Sequence, residues 1–381
     1  WNDTRAHAEA AEMDAEPAWR AISGNIVFPG FTAPKLAWVQ RHEPEIAARV
    51  DTVLLPKDYL RLWLTGERVA EMSDAAGTSW LDTGARDWSD ALLARSGLGR
   101  GQVPRLVEGS QVSGTLRPAL ARRWGMGEAV PVAGGAGDNA ASAIGMGVVH
   151  AGQGFVSLGT SGVLFVANDG YRPAPETAVH TFCHALPGTW HQMGVILAAT
   201  DALNWFAGLV GTEAAELTRA LGPLQAPGQA LFLPYLGGER TPLNSAVIRG
   251  AFLGLAHATD RDAATRAVLE GVAFALADCR DALAATGTHI DSLVAVGGGA
   301  RSDYWLSAIA TALGQPLDVA EDSDVGAAFG AARLGMMAAT GDASIATPPP
   351  VARTIAPDPG LADAFAEGHA RHRTAARHLL E

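Results

Sequence analysis

The chain has 381 residues, of which 48% are hydrophobic and 18% charged, and a formal net charge of −12 at pH 7. This balance is typical of a globular protein with room for two domains, and it excludes a disordered chain. The negative charge argues against non-specific binding to nucleic acid, and no apolar run reaches the roughly 18 residues of a membrane helix. Cys183 and Cys279 cannot supply a disulfide framework, so a reducing cytoplasm is predicted.

The chain up to about Gly127 is predicted to be mainly helical. The segments "APKLAWVQRHEPEIAARV" and "DYLRLWLTGE" place apolar residues at three- and four-residue spacing. Gly66 is expected to end the second of these helices, and Ser89 to cap the helix that follows "SDAAGTSWLDTGARDW". Strand signals are weak in this part.

After about Val130, strands alternate with helices, which predicts an α/β domain with a mixed sheet. "GFVSLGTSGVLFVAND" indicates two strands hinged at Gly159–Gly162, and "HTFCHALPGTWHQMGV" indicates a hairpin. The remaining predicted elements are, in order, the strand "VPVAGG", the helix "DRDAATRAVLEGVAFALADCRDALAAT", the strand "LVAVGGG", the helix "SDYWLSAIATALG", the strand "PLDVA", the helix "VGAAFGAARLGMMAAT", an extended linker "TPPPVARTIAPDPG" and an amphipathic helix from about Leu361.

Three glycine loops stand out in this second part: "GAGDN", "SLGTSG" and "GGGARSDYW". The first matches the dinucleotide fingerprint only weakly, because Leu158 stands where an acidic residue is expected. A Walker-type phosphate loop is excluded, since neither Lys35 nor Lys57, the two lysines of the chain, follows G-x-x-x-x-G. The second loop offers free N–H groups and two hydroxyls that suit phosphate oxygens, and the third offers bare backbone to a flat ring.

Asp138 allows two interpretations: it caps the helix that follows it, or the glycine bend presents its carboxylate to a substrate.

Other polar groups are less informative. A zinc site formed by His180, Cys183, His184 and His191 of the predicted hairpin is disfavoured. His180 and His184 would lie about 13 Å apart along a strand, and Cys183 would face the other side. Glu239 and Arg240 form either an ion pair lining a cleft or a solvated turn. The pair Gly326 and Gly330 is expected to let two elements pack closely.

Five segments together resemble the carboxy-terminal domain of the FGGY carbohydrate kinases: "GAGDNAASAIGMG", "SLGTSG", "FLPYLGGERTP", "RAVLEGVAFAL" and "VGGGARSDYW". The resemblance runs from Trp1 nearly to the end of the chain. It implies the actin, Hsp70 and hexokinase-like fold, in which two ribonuclease-H-like domains enclose a nucleotide cleft. Residues 1–127 would be the remainder of the N-terminal, sugar-binding domain, and residues 128–381 the C-terminal, ATP-binding domain with a linker near 346–360 and a final helix.

The resemblance also implies site residues. Asp138 takes the place of the catalytic base, and Gly159, Thr160 and Ser161 match the turn that contacts the phosphates of ATP. Gly298, Gly299 and Asp303 match positions beside the adenosine. The sugar would contact Trp1, Asp3, Asp138 and Asn139.

Within the family, the segments "FTAPKLAWVQRHEPE", "LLPKDYLRLWLTGE" and "HTFCHALPGTWH" are most similar to those of bacterial xylulokinases. The implied reaction is phosphorylation of D-xylulose at its 5-hydroxyl by ATP with Mg²⁺, with no residue assigned as a metal ligand. The alternatives are another kinase of the family, acting on ribulose, gluconate or another polyol or ketose, and a non-catalytic nucleotide-binding relative. No nucleic acid or membrane partner is expected, and a homodimer is allowed.

One departure from the family concerns two segments. Kinases of this family begin with a D-x-G-T-[ST] turn and carry a Q-M-H-G segment, and this sequence contains neither. By resemblance, roughly the first hundred residues of such a kinase are expected to be missing here, about the size of one small domain.

Overall fold

The computed structural model describes residues 2–321 and 326–380. Its first part is built from short elements. These are α1 (His7–Asp14), α2 (Pro17–Ser23), α3 (Thr32–His42), α4 (Pro44–Ala47), α5 (Pro56–Thr65), β1 (Val69–Glu71), α6 (Met72–Ala75), β2 (Leu81–Asp82), β3 (Asp87–Trp88), α7 (Asp90–Arg95), β4 (Arg105–Val107), β5 (Val112–Thr115), α8 (Pro118–Arg123) and β6 (Pro131–Ala133).

Two of the predicted helix boundaries are confirmed in this part. Gly66 ends α5 in the left-handed conformation at φ 88°, and the Ser89 hydroxyl accepts the N–H of Leu92 at the start of α7. The segment expected as one helical stretch divides into α3 and α4 at Pro44, because proline cannot continue the hydrogen-bond ladder of the preceding turn.

Strands β1 to β5, each two to four residues long, were not predicted, whereas β6 lies within the predicted strand "VPVAGG" and confirms it. The six strands pair as β1 with β4, β2 with β3 and β5 with β6. The β1–β4 pair is parallel and joins Val69 to Arg105, so its partners are distant in the sequence. Strands this short leave no periodic pattern, which is why a mainly helical region was expected.

The second part contains the longer elements. These are α9 (Asp138–Gly145), β7 (Gln153–Leu158), β8 (Gly162–Asn168), β9 (His180–Cys183), β10 (Trp190–Ile196), α10 (Thr200–Val210), α11 (Ala214–Arg219), β11 (Leu231–Leu233), β12 (Ala251–Leu253), α12 (Arg261–Ala284), β13 (Ser292–Val296), α13 (Asp303–Leu313), β14 (Leu317–Ala320), α14 (Ala327–Thr340), β15 (Val351–Ile355) and α15 (Ala362–His378).

A mixed seven-stranded sheet organises this second part, as predicted. Its strand order is β15-β14-β13-β7-β8-β10-β9, with β7, β13 and β14 parallel and the other pairs antiparallel. The two strands hinged at Gly159–Gly162 are β7 and β8, and the predicted hairpin is β9 and β10. The segment expected as a linker is extended, but its middle is β15, which pairs with β14 at the sheet edge. Its proline run favours extended backbone, and the sequence does not show which strand it would join.

Each part has its own hydrophobic core, and each core contains one cysteine. Cys279 lies on α12 among the side chains that pack this helix against the large sheet, whereas Cys183 reaches from β9 into the core of the first part, with Trp19 and Trp80. Both thiols are free and buried. Burial raises the pKa of Cys183 to about 12 and raises the pKa of Cys279 well above its usual value.

Helices α9 and α14 lie in close contact through one glycine. A Cβ atom added at Gly330 would lie 1.7 Å from the carbonyl oxygen of Ala141 on α9. Gly326 has open space around it among the described residues. The expected close packing of two elements is therefore confirmed at Gly330, and Gly326 does not contribute to it.

In the described part of the chain, no helix combines the length and apolar character needed to cross a membrane.

Candidate active site

Asp138 is the first residue of α9, and its carboxylate is exposed at the end of a glycine loop. Its Oδ1 accepts two hydrogen bonds from Asn139, from the backbone N–H at 2.8 Å and from Nδ2 at 3.1 Å. The N-cap position belongs to Gly137, and no side chain caps the helix. The interpretation of Asp138 as the N-cap is therefore not what the structure shows. Asn139 holds the carboxylate through these two hydrogen bonds.

The glycines before Asp138 allow a close approach of two backbone segments. A Cβ atom at Gly134 would lie 2.3 Å from the carbonyl oxygen of Glu108. The N–H of Gly134 donates to the carbonyl of Gln111 at 2.8 Å, and that of Gly135, at φ 75°, donates to Gly109 at 3.0 Å. This glycine cluster thus packs against the 108–111 segment of the first part, and this close approach explains why glycines stand there.

The turn between β7 and β8 presents two hydroxyls to solvent. The carbonyl of Gly159 accepts from the N–H and the hydroxyl of Thr200 at 2.9 and 2.8 Å, and the carbonyl of Thr160 accepts from the N–H of Ala199 at 2.8 Å. The side chains of Thr160 and Ser161 are exposed, and neither hydroxyl bonds to any residue in the ranges 2–321 and 326–380. The start of α10 thus fixes the backbone of the turn and leaves its donors available for a ligand.

The loop 297–299 lies beside this turn. Gly297, at φ 91°, would place a Cβ atom 2.7 Å from the carbonyl oxygen of Leu158, the last residue of β7. Gly299 is buried, and a Cβ atom there would lie 2.8 Å from Leu158 and 2.9 Å from the ring of Trp305. Gly298 has open space around it. The loops "SLGTSG" and "GGGARSDYW" therefore meet at the carboxyl ends of β7 and β13. Gly298 is the glycine of the 297–299 run that has open space around it.

The other predicted site residues lie at the surface. Asp303 begins α13 and accepts from Arg353 of β15 at 2.9 Å. Asp3 forms an ion pair with Arg5, and the side-chain hydrogen bond from Arg5 lowers the pKa of the Asp3 carboxyl. Among the described contacts none joins Asp3 to the Asp138 loop, and Trp1 lies outside the described residues.

Glu239 and Arg240 are neither a solvated turn nor a pair with each other. Glu239 is 3% exposed, and its Oε1 accepts the N–H groups of Leu197 and Arg240 at 2.9 and 2.8 Å. Burial raises the pKa of Glu239 to about 8. The Arg240 guanidinium lies 4.6 Å from the ring centroid of Phe28 and 3.4 Å from Nε2 of His180. Arg240 therefore connects the second part of the chain to the first.

The histidines of the hairpin are packing groups. His184 places Nε2 3.1 Å from the carbonyl of Val148, and the ring of His191 stacks on Phe165 at 4.4 Å. Burial lowers the pKa of His184 to about 4 and that of His180 to about 3. These contacts agree with the preference for hairpin packing over a zinc site.

Residues that the sequence did not single out hold the Asp138 loop from behind. Ser73 accepts the N–H of Gly137 through its hydroxyl at 3.0 Å, and Arg61 donates to the carbonyl of Gly134. The feature of the sequence that could have indicated this support is Lys57, one of the two lysines of the chain, which precedes the acidic residues Glu71 and Asp74.

Comparison with known proteins places both parts in one family. Residues 1–145 match the N-terminal domain, and residues 154–339 the C-terminal domain, of the FGGY family of carbohydrate kinases. The xylulose kinase of Escherichia coli K12 is 51% identical over 348 residues, which cover 91% of this chain and 72% of the relative. The xylulose kinase of Klebsiella pneumoniae is 48% identical over 94% of this chain and 75% of the relative. The crystal structure of a xyloylose kinase from Brucella ovis superimposes with a TM-score of 0.98 at 63% identity, over 100% of this chain and 80% of that one.

Fold and site together define a carbohydrate kinase with the actin- and hexokinase-like ATPase fold. The chain belongs to the FGGY family of these kinases. The predicted domain division at 127/128 stays a prediction, beside a family match that extends to residue 145.

Proposed function

We propose that this protein transfers the γ-phosphoryl group of ATP to the 5-hydroxyl of D-xylulose. The relatives named above, at 51% and 48% identity, are xylulose kinases, and kinases of this family use ATP. The observation that carries the proposal is the exposed carboxylate of Asp138, at the start of a helix and held by a backbone loop on one side and Asn139 on the other.

Asp138 receives the proton of the acceptor hydroxyl. As the hydroxyl oxygen forms its bond to the γ-phosphorus and the bond to ADP breaks, that oxygen becomes acidic and its proton passes to the carboxylate. Asn139 occupies Oδ1 with two hydrogen bonds, so Oδ2 is the oxygen free to take the proton. A fixed carboxylate keeps the acceptor hydroxyl in line with the phosphorus, and this positioning supplies much of the rate enhancement.

The β7–β8 turn and the adjacent glycine loop are assigned to ATP. The hydroxyls of Thr160 and Ser161 are positioned to donate to phosphate oxygens, and the open face at Gly298 can receive the flat adenine ring. Asp303, at the start of α13, lies beyond this loop and is assigned to the ribose side.

When bound, Mg²⁺ would supply charge neutralisation on the phosphates of ATP, as in other reactions of this class. The described residues contain one compact group of acids and histidine, Asp278, Asp281 and His369, whose ligand atoms lie within 4.8 Å of one another. Arg373 contacts Asp278 at 3.5 Å and Asp281 at 3.4 Å, so a cation already neutralises this group. We therefore assign no magnesium ligand among these three residues.

The decisive variant is Asp138→Asn, which preserves the size and the hydrogen-bond acceptor but removes the base. We expect kcat for D-xylulose-dependent ADP release to fall by about a hundredfold or more, with ATP affinity unchanged by calorimetry. Asp90→Asn is the matched control, because Asp90 is also an exposed first residue of a helix. Turnover of Asp138→Asn within a few-fold of wild type would refute the assignment.

The identity of the acceptor is tested on the unmodified protein with D-xylulose, ribulose, gluconate and glycerol. The highest kcat/KM is expected with D-xylulose, and a higher value with another sugar would reassign the substrate. The two free thiols suit a reducing compartment, and we propose the cytoplasm as the location.

A further inference from the structure

A partly buried cation, Lys57, lies close to the residues that support the Asp138 loop. The Lys57 ammonium contacts three carboxylates, at 2.8 Å from Asp58 Oδ1, 3.1 Å from Asp74 Oδ2 and 3.3 Å from Glu71 Oε1. Burial disfavours the charge on Lys57, but attraction to Glu71, Asp74 and Asp58 outweighs it and raises the pKa of the lysine. Lys57 therefore stays charged and keeps these acids in place.

A continuous chain of contacts runs from Lys57 to the residue before Asp138. Glu71 is fully buried, and its Oε2 accepts the N–H of Ser73 at 2.7 Å and the hydroxyl of Ser73 at 2.8 Å. Because that hydroxyl donates its proton to Glu71, its oxygen is left as an acceptor for the N–H of Gly137 at 3.0 Å. The ion pair thus sets the direction of the last hydrogen bond.

Arg61 holds the other end of the same loop. Its Nη1 donates to Asp58 Oδ1 at 2.7 Å and to the carbonyl of Val69 at 2.6 Å, and its Nη2 donates to the carbonyl of Gly134. Asp58 is shared with Lys57, so both ends of the 134–137 loop depend on one buried ionic cluster. Arginine suits this position because its planar fork makes several directed hydrogen bonds at once.

We infer that Lys57, Arg61, Glu71 and Ser73 are positioning residues for Asp138. Their described contacts are with one another, with neighbouring acids and with the loop from which the carboxylate projects. The inference rests on the proposed function of Asp138. Misplacing a catalytic group by about 1 Å can reduce the rate by about a hundredfold, so loosening one end of the loop is expected to lower kcat more than it changes substrate affinity.

The first test is Ser73→Ala, which removes the acceptor for Gly137 but leaves the ion pairs. We expect kcat to fall by about tenfold, with KM for ATP within twofold of wild type. Ser96→Ala is the matched control, because the Ser96 hydroxyl is also buried and accepts an N–H, that of the Trp80 ring at 2.8 Å, without contacting the loop. Wild-type kcat in Ser73→Ala, or an equal loss in both variants, would overturn the inference.

A double-mutant cycle then separates positioning from general loss of structure. If Ser73 acts through Asp138, adding Ser73→Ala to Asp138→Asn should reduce the residual kcat by less than twofold. The same tenfold loss in both backgrounds would show that Ser73 acts independently of Asp138 and would overturn the inference. The single variant Asp138→Asn tests whether Asp138 is the base, and the cycle tests whether Ser73 acts through it. Failure of the proposed function can therefore be distinguished from failure of the inference.

If Ser73→Ala accumulates in an unfolded form, Arg61→Lys replaces it in the cycle. Lysine keeps the charge but has one nitrogen, which cannot reach Asp58 and Gly134 together as the two Nη atoms of Arg61 do. The same two criteria apply: a loss of about tenfold in kcat that largely disappears in the Asp138→Asn background supports the inference, and an undiminished loss overturns it.

Discussion

The buried carboxyl of Glu239 contributes to the free energy of unfolding, and this contribution should decrease as the pH rises. Its pKa is about 8 in the folded protein, against 4.5 for an ordinary glutamate. A raised folded pKa contributes stability that is fully present below the unfolded value and is lost as the pH rises through the folded value. Between pH 5 and 7 the unfolded chain therefore holds fewer protons at this site than the native state.

Replacing Glu239 by glutamine keeps the shape and one acceptor oxygen for Leu197 and Arg240 but abolishes the titration. At about 1.4 kcal/mol per pH unit, wild type should lose roughly 2 to 3 kcal/mol relative to Glu239→Gln between pH 5 and pH 7. Other titrating groups are present in both proteins, so they cancel in the difference.

The measurement is urea unfolding, followed by the fluorescence of the ten tryptophans, at pH 5, 6 and 7 for both proteins. The exposed Glu128 offers a Glu→Gln control for the loss of a charge alone. A difference between Glu239→Gln and wild type that stays constant from pH 5 to 7 would show that Glu239 is ionised in the native state throughout. In that case the two N–H donors, and not burial, would determine its charge.

Two pairs of glycine variants test the packing and the nucleotide face. Gly330→Ala should lower the free energy of unfolding by roughly 1–3 kcal/mol, because its Cβ would meet the carbonyl of Ala141 at 1.7 Å. Gly335→Ala, in the same helix and with open space, should instead be neutral or stabilising by up to about 1 kcal/mol, and equal effects would contradict the close packing of α9 and α14. Gly298→Val should raise KM for ATP by about tenfold or more without changing thermal stability, whereas Gly299→Val should lower the melting temperature, because that position faces inward. The reverse pattern would place the nucleotide on the other side of the loop.

The elements that the sequence predicts correctly are those with a local cause. The hinge between β7 and β8, the long helix α12 and the end of α5 at Gly66 each follow from periodicity or from a turn residue. The short strands β1 to β5 were missed because they are too short for a periodic pattern, and partners such as Val69 and Arg105 lie far apart in the sequence. The edge strand β15 was expected as extended backbone, but its partner β14 is a property of the tertiary fold.

The proposed site shows the same division between features with a local cause and features set by distant partners. The glycine bend and the lone carboxylate of Asp138 are visible in the sequence, and so are the hydroxyls of Thr160 and Ser161. The support behind Asp138 was not, because Lys57 and Ser73 lie 81 and 65 positions upstream of it and come together only through the β1–α6 region. Gly299 shows a further limit: a glycine run indicates a close approach but not which of its members is buried against the protein.

The two buried thiols can be used to measure local opening of the two hydrophobic cores. Cys279 becomes accessible only when α12 separates from the large sheet, and Cys183 only when the core around Trp19 and Trp80 opens. The rate at which a thiol-specific reagent modifies each cysteine would measure how often the core around that cysteine opens. No label needs to be introduced. Nucleotide bound at the β7–β8 turn should slow modification of Cys279 more than that of Cys183. Such a contrast would show whether the two halves of the kinase loosen together or one at a time.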